Sequence, residues 1–515
     1  MVSCKSRANF SSFSCNIIIS ISVSMLSAED IAKHNTTSCC WLVINGKVYD
    51  VTVYLDHHPG GAAILLKQGG QDATAEFRKI HNPDILQYLP EGSYLGEVDS
   101  STIVSLPISS EHRSSSASSL EVQTEPPHIS RCVVANDFEK VARSTLSEKS
   151  WSYVSSSANS AHSHQGNLSS WTQLSFRPRI LRNVRDVHTR SAILGTPTAL
   201  PFYVSAMGHL GRAHSGGEIG CVRGLARRGV HGLLSSVSTQ TTEEIMDAFV
   251  AERKALDSQE FPPAQLHFQL YIPANRDVAV GRIRRARKAG FKSLWVTVDT
   301  PYLGKRTLDR RLQAQEALDL GLDAEAEKAA YGLRAHVSAG QFHPELSWQD
   351  LEWIKAEWGG GPIVLKGIQC AEDARLAVEY GCQGILLSNH GGRQAHSAPD
   401  ALTTLLEIRT YCPEVLDKLE VFVDGGCRDG ADVLKALCLG ATAVGIGRPF
   451  FYALGAYGTK GVERCIDILS EELLLGMKLT GISTLKDARP ELVNASKLLN
   501  DMWRPEIKGS EKSRL

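Results

Sequence analysis

Short apolar, β-branched runs recur along the chain beyond Leu200: Phe202–Ser205, Gly232–Ser236, His267–Tyr271, Leu294–Asp299, Ile363–Lys366, Gly384–Ser388, Val421–Asp424 and Ala443–Gly447. Between most of them lie segments of helical period, such as Asp277–Ala289, Ala371–Tyr380 and Gly430–Leu439. The alternation predicts strand then helix, eight times over. Eight such units predict a TIM (β/α)8 barrel, in which chemistry sits at the C-terminal ends of the strands. Every run ends on or just before small, polar or ionisable residues, which core strands alone do not require.

Residues 27–98 follow another pattern. Apolar runs at Cys40–Ile44 and Lys47–Val53 alternate with helical patches and close on Tyr94-Leu95-Gly96, which predicts one small α+β unit. Ser27 is placed to cap its first helix, so Met25 is a plausible start beside Met1. From Asp99 to about His128 the chain is rich in serine, Ser114 to Ser119 above all, and ends in Pro126-Pro127. Such a composition buries too little apolar surface to order itself and reads as a flexible linker. The expected organisation is a leader over 1–24, the small domain over 25–98, the linker over 99–128, a barrel domain over 129–500 and a tail over 501–515.

Composition narrows the function classes. The 515 residues, 43% hydrophobic, suffice for two separate cores. Lys and Arg (55) nearly balance Asp and Glu (56), so no net field points to nucleic acid or an anionic membrane. The twelve cysteines contain no C-x-x-C, which favours buried thiols in a reducing compartment over zinc or disulfide frameworks. The apolar stretch from Asn16 to Leu26 is too short to span a bilayer, so no stable membrane insertion is expected.

In the small domain, His58 sits in L-D-H-H-P-G-G, where Pro59, Gly60 and Gly61 favour a tight turn that lets an imidazole project. His81 follows 23 residues on, beyond a helical stretch, Asp72 to Phe77, whose apolar side suits a flat ligand. Two neutral imidazoles across an apolar slot can saturate haem iron and favour electron transfer over oxygen chemistry. His57 is the competing ligand next door. The stretch from about Met25 to Glu97 resembles cytochrome b5 through A-K-H-N, C-W, I-N-G-K-V-Y-D-V, H-P-G-G and D-A-T-A-E-F. That resemblance implies haem b with His58 and His81 as axial ligands.

The barrel's candidate chemistry lies at strand ends: Tyr271, T-V-D-T-P, Lys366, S-N-H-G-G-R, then D-G-G-C-R-D-G and G-I-G-R. Gly425, Gly426, Arg428, Gly447 and Arg448 follow strands seven and eight, where such barrels bind phosphate, so a phosphorylated cofactor is implied. His390 suits a base near neutral pH, with Asp299 to orient it. Arg393 offers a fork for a carboxylate, and Lys366 a charge beside a flavin. Together these suit a 2-hydroxy acid.

From about His128 to Asn500 the motifs resemble the FMN-dependent L-2-hydroxy-acid dehydrogenases and oxidases. The resemblance implies FMN held by Ser235, Gln269, Thr297, Lys366, Ser388, Asp424, Gly426, Arg428, Gly447 and Arg448. It implies His390 as base, Asp299 as its partner, Arg393 and Tyr153 on the carboxylate, Tyr271 on the hydroxyl, and Arg306 facing the site. The surroundings of Tyr153 depart from the family pattern, and the loop from Thr307 to about Pro344 is expected to differ in conformation. Ala206-Met207-Gly208 and Val237 point to a roomier pocket.

The expected activity is oxidation of an L-2-hydroxy acid, L-lactate first, with electrons passed through FMN and haem b to a cytochrome c-type acceptor. The rivals are an oxygen-using oxidase and a haem electron carrier with an inactive barrel. By resemblance the chain assembles as a homotetramer. The final Ser513-Arg514-Leu515 varies on the peroxisomal S-K-L address. The resemblance and a leader with Lys5 and Arg7 point to the mitochondrial intermembrane space, and the cytosol stays open.

Overall fold

The computed structural model describes residues 25–99, 101–102, 125–256, 261–331 and 340–504. The leader, most of the linker and Ser513-Arg514-Leu515 lie outside them. Within the described residues, no helix is long and apolar enough to cross a membrane.

The N-terminal module carries a five-stranded sheet built on the antiparallel pair Cys39–Ile44 and Lys47–Asp50, continued by Tyr94–Val98 and edged by Met25–Leu26 and Asn35–Thr36. Ser27 caps the first helix, its side chain accepting from the Asp30 amide. One face of the sheet and the helices Ala62–Lys67 and Thr74–Ile80 enclose an apolar slot lined by Val51, Tyr54, Leu65, Phe77, Leu86 and Leu89.

Eight parallel strands then close into a barrel: Phe202–Val204, Gly232–Ser235, Leu266–Tyr271, Leu294–Thr297, Ile363–Ile368, Gly384–Leu387, Glu420–Asp424 and Ala443–Ile446. The two-residue period of a strand explains how one sequence makes both core and site. Tyr203, Leu233, Trp295, Val364, Leu386, Phe422 and Ala443 form a single buried cluster with Ile193. Two residues further along six of the same strands stand Ser205, Ser235, Thr297, Lys366, Ser388 and Asp424, all buried. A polar layer therefore lies directly on an apolar plug, at the strands' C-terminal ends.

Three helices precede the barrel, Ala135–Thr145, Glu148–Ser155 and His162–Gln173, and the sequence reading passes over them. The segment after Arg306, read from the sequence as a loop departing from the family pattern, contains regular structure among its described residues. It folds into helices Thr307–Asp319 and Asp323–Tyr331, which meet the N-terminal module: Gln313 donates to the Pro59 carbonyl at 3.0 Å, and Ala63 packs with Ala317 and Ala326. The physical reason is composition, since this stretch is rich in Ala, Leu, Gln, Glu and Arg, all strong helix formers.

Candidate active site

The catalytic loop follows strand six. His390 adopts a left-handed backbone conformation (φ 60°), unusual for a non-glycine residue. Its amide donates to Ser388 Oγ at 3.0 Å, and Gly391 and Gly392 complete the turn. Asn389 anchors the loop by a reciprocal amide pair with Asn167, at 2.7 and 2.8 Å, deep below the surface. Asn389 stands inside S-N-H-G-G-R and could have been noticed there. Asn167 carries no local signal.

His390 Nδ1 lies 2.8 Å from Asp299 Oδ1, and Tyr271 Oη lies 3.2 Å from His390 Nε2. Hydrogen bonding to the carboxylate places the proton of neutral His390 on Nδ1 and leaves Nε2 as the basic atom. Burial pushes the His390 pKa down, opposed by Asp299 and assisted by Lys366. Burial acts to raise Asp299, but His390 and Lys366 prevail and hold its carboxyl down at about 2. Burial, reinforced by Asp299, raises Tyr271 far above the ordinary phenol range, so it is a neutral donor. Thr300 also donates to Asp299 Oδ1, at 2.7 Å. Gln394 ties the loop after strand four to the catalytic loop through the carbonyls of Asp299 and Tyr302, a role the sequence reading missed.

Tyr153 lies between two guanidinium groups, Arg212 at 4.9 Å and Arg393 at 5.2 Å from its ring, and donates to the Gly208 carbonyl at 3.3 Å. Arg393 gives Nη1 to the carbonyls of Tyr153 and Ser156, at 2.8 and 2.9 Å, which leaves Nε and Nη2 for a carboxylate. Burial, then Arg306, lowers the Arg393 pKa to about 9, the signature of a cation that an anion would relieve. Arg306 Nε is itself buried without a hydrogen-bond partner. Gly208 and Val237 pack against one another beside Tyr153. A Cβ on Gly208 would stand 2.7 Å from Val237 Cγ2, so Val237 fills the space that the glycine opens.

The residues assigned to FMN converge in the polar layer. Ser235 donates to Gln269 and Gln269 to Thr297, a rung of 3.1 and 2.9 Å across three strands. Lys366 Nζ stands 3.2 Å from Ser388 Oγ, 3.8 Å from Asp299 and 4.0 Å from Asp424, whose Oδ1 is buried without a partner. A buried ammonium, mixed donors and acceptors and an orphaned carboxylate oxygen fit the edge of a flat, polar heterocycle. Gly425 and Gly426 turn with φ of 90° and 87°; at Gly426 a Cβ would collide with the Asn167 carbonyl. Gly447 caps the helical segment Arg448–Thr480, which breaks at Gly458 and whose N-terminal amides suit a phosphate.

Arg428 and Arg448 both stand beside that phosphate site, each anchored by backbone carbonyls. Arg448 spends its guanidinium on the carbonyls of Val154, Ser156 and Gly391 and on His164 Nδ1, because the end of helix Glu148–Ser155 offers carbonyls without helical partners. Arg428 Nη1 donates to its neighbour, the Cys427 carbonyl.

In the N-terminal module the structure pairs His58, rather than His57, with His81. Their ring centroids are 6.2 Å apart. That spacing admits one metal ion bonded at about 2 Å to a nitrogen of each ring. His58 Nδ1 donates to the Gly61 carbonyl at 3.0 Å, which frees Nε2 for iron. Burial lowers the His58 pKa to about 4 and, joined by His209, takes His81 well down, so both are neutral ligands. The apolar slot and the ring pair together fit a haem.

Residues 142–495 match the FMN-dependent dehydrogenase family, and residues 27–99 match the cytochrome b5-like heme/steroid binding domain. The chain belongs to the FMN-dependent dehydrogenase family. It is 35% identical to L-lactate dehydrogenase (cytochrome) of Wickerhamomyces anomalus, over 92% of this chain and 81% of that protein. It is 36% identical to 2-hydroxyacid oxidase 1 of Mus musculus, over 72% of this chain and 98% of that one. Among solved structures, the flavin-binding domain of baker's yeast flavocytochrome b2 superposes with a TM-score of 0.65 at 35% identity, covering 74% of this chain and 91% of that one. Within the family, then, this member carries both cofactor modules, FMN in the barrel and haem in the b5-like domain.

Proposed function

We propose that the protein oxidises an L-2-hydroxy acid, L-lactate first, and delivers the electrons to a cytochrome c-type acceptor. The observation that carries this reading is the His390 and Asp299 pair facing Tyr271 beneath Arg393, with the haem-ligand pair docked at the same end of the barrel. Arg393 and Tyr153 hold the substrate carboxylate, and Tyr271 holds its hydroxyl. His390 Nε2 takes a proton from the substrate, and Asp299, ionised and buried, stabilises the resulting imidazolium. FMN, when bound, accepts the two substrate electrons and haem passes them on singly. Lactate dehydrogenase (cytochrome) activity in the relative from Wickerhamomyces anomalus, which shares both modules, supports the choice of L-lactate.

In anaerobic stopped-flow mixing with L-lactate, flavin absorbance is expected to bleach first and the reduced-haem band to follow. Flavin bleaching with no haem reduction, and hydrogen peroxide formed in air, would show an oxidase instead. A native mass of four chains of 56.1 kDa is the result expected for the proposed homotetramer. For the compartment, we propose that Ser513-Arg514-Leu515 acts as a peroxisomal address. A fluorescent protein fused at the N-terminus, leaving the C-terminus free, should give punctate peroxisomal signal; diffuse or mitochondrial signal would end that assignment.

A further inference from the structure

The loop after the first barrel strand meets the N-terminal module, and His209 is the residue that bonds to it. Its Nδ1 lies 3.0 Å from the carbonyl oxygen of Ile80, so the imidazole donates there. Ile80 is the last residue of helix Thr74–Ile80, and its carbonyl is among those a helix cannot satisfy for itself. The next residue is the axial ligand His81. The ring of His209 stands edge-on to that of His81, centroids 5.4 Å apart, and 6.1 Å from the ring of Tyr153 at the substrate site. His209 thus touches one residue of each centre.

Two further features show that the loop is shaped for this contact. His209 is held in a left-handed conformation (φ 56°), with its amide donating to the Val237 carbonyl at 3.0 Å. Such a conformation is uncommon outside glycine and persists where the surroundings enforce it. Two residues on, Gly211 leaves room for the module: a Cβ there would come within 2.9 Å of the Lys79 carbonyl. Around this point, Asn82 donates to the Ser238 carbonyl at 2.8 Å, and Arg285 bridges Asp84 of the module and Glu243 of the barrel.

We infer that His209 is a positioning residue for electron transfer: by capping the helix that carries His81, it holds the haem module against the substrate end of the barrel. This rests on the reading of haem as the acceptor of flavin electrons. The left-handed backbone makes clean variants available, because glycine adopts it freely and asparagine tolerates it. His209→Gly removes the donor, whereas His209→Asn retains an N–H donor on a short side chain.

With the cofactor-loaded full chain, His209→Gly should leave flavin bleaching by L-lactate unchanged and slow haem reduction about tenfold, as loss of one hydrogen bond from the docked state requires. Hydrogen exchange of oxidised protein without substrate should show faster exchange over 74–88 in His209→Gly. His209→Asn should restore both measures in part. Unchanged haem reduction and exchange in His209→Gly would overturn the inference, and so would equal loss of flavin bleaching, which would mark a barrel defect. Absence of haem reduction in the unaltered protein would instead remove the reading on which the inference rests.

Discussion

Replacing His390 by glutamine should lower the rate of flavin bleaching by L-lactate about 10³-fold, while FMN and haem remain bound. Glutamine occupies similar space and can still bond to Asp299, but it has no nitrogen that accepts a proton at neutral pH. A rate within tenfold of the unaltered protein would remove His390 from the role of base. Asp299→Asn gives a second measurement on the same pair. Asp299 raises the His390 pKa against the lowering effect of burial, so its neutralisation should move the acid limb of the rate profile to lower pH and depress the plateau. Asp299 also links the site to stability. Its carboxyl is more acidic folded than unfolded, so the stabilisation it gives is present at neutral pH and is lost as pH falls from the ordinary carboxylate range through about 2.

The second large effect is expected at the other centre. His81→Ala should abolish the haem absorbance and take cytochrome c reduction to background, while flavin bleaching by L-lactate stays within about twofold, because the groups bonded to His390 all lie in the barrel. Haem retained in the variant, with normal cytochrome c reduction, would show that His81 is not a ligand. A matching collapse of flavin bleaching would show that the two modules are not chemically separable in the way their architecture implies.

The strands and their polar ends were legible because a two-residue period writes itself into the sequence: Trp295 then Thr297, Val364 then Lys366, Phe422 then Asp424. His390, Asp299 and Arg393 were legible because each stands at a strand end with its chemistry intact. What the sequence left unseen depends on partners far along the chain. Asn167 acquires meaning only against Asn389, and the hold of Arg448 on the carbonyls of Val154 and Ser156 shows only once those distant residues stand beside it. The helices after Arg306 follow from the helical propensity of their Ala, Leu, Gln, Glu and Arg residues, which a reading of the segment as a loop leaves out. Gly208 illustrates a further limit, since a small residue opens space only if its neighbour stays away, and Val237 does not.

The Asn167 and Asn389 pair spans 222 positions, and the contacts of Arg393 and Arg448 with the end of helix Glu148–Ser155 span 237 to 294. These contacts of the catalytic loop cannot form until strand six has been synthesised and has met helices made long before it. Contacts so remote in sequence are slow to close and come late in folding. The pre-barrel helices over 135–173 must wait for those partners with the matching surfaces uncovered, and the catalytic loop is expected among the last parts of the enzyme to become whole.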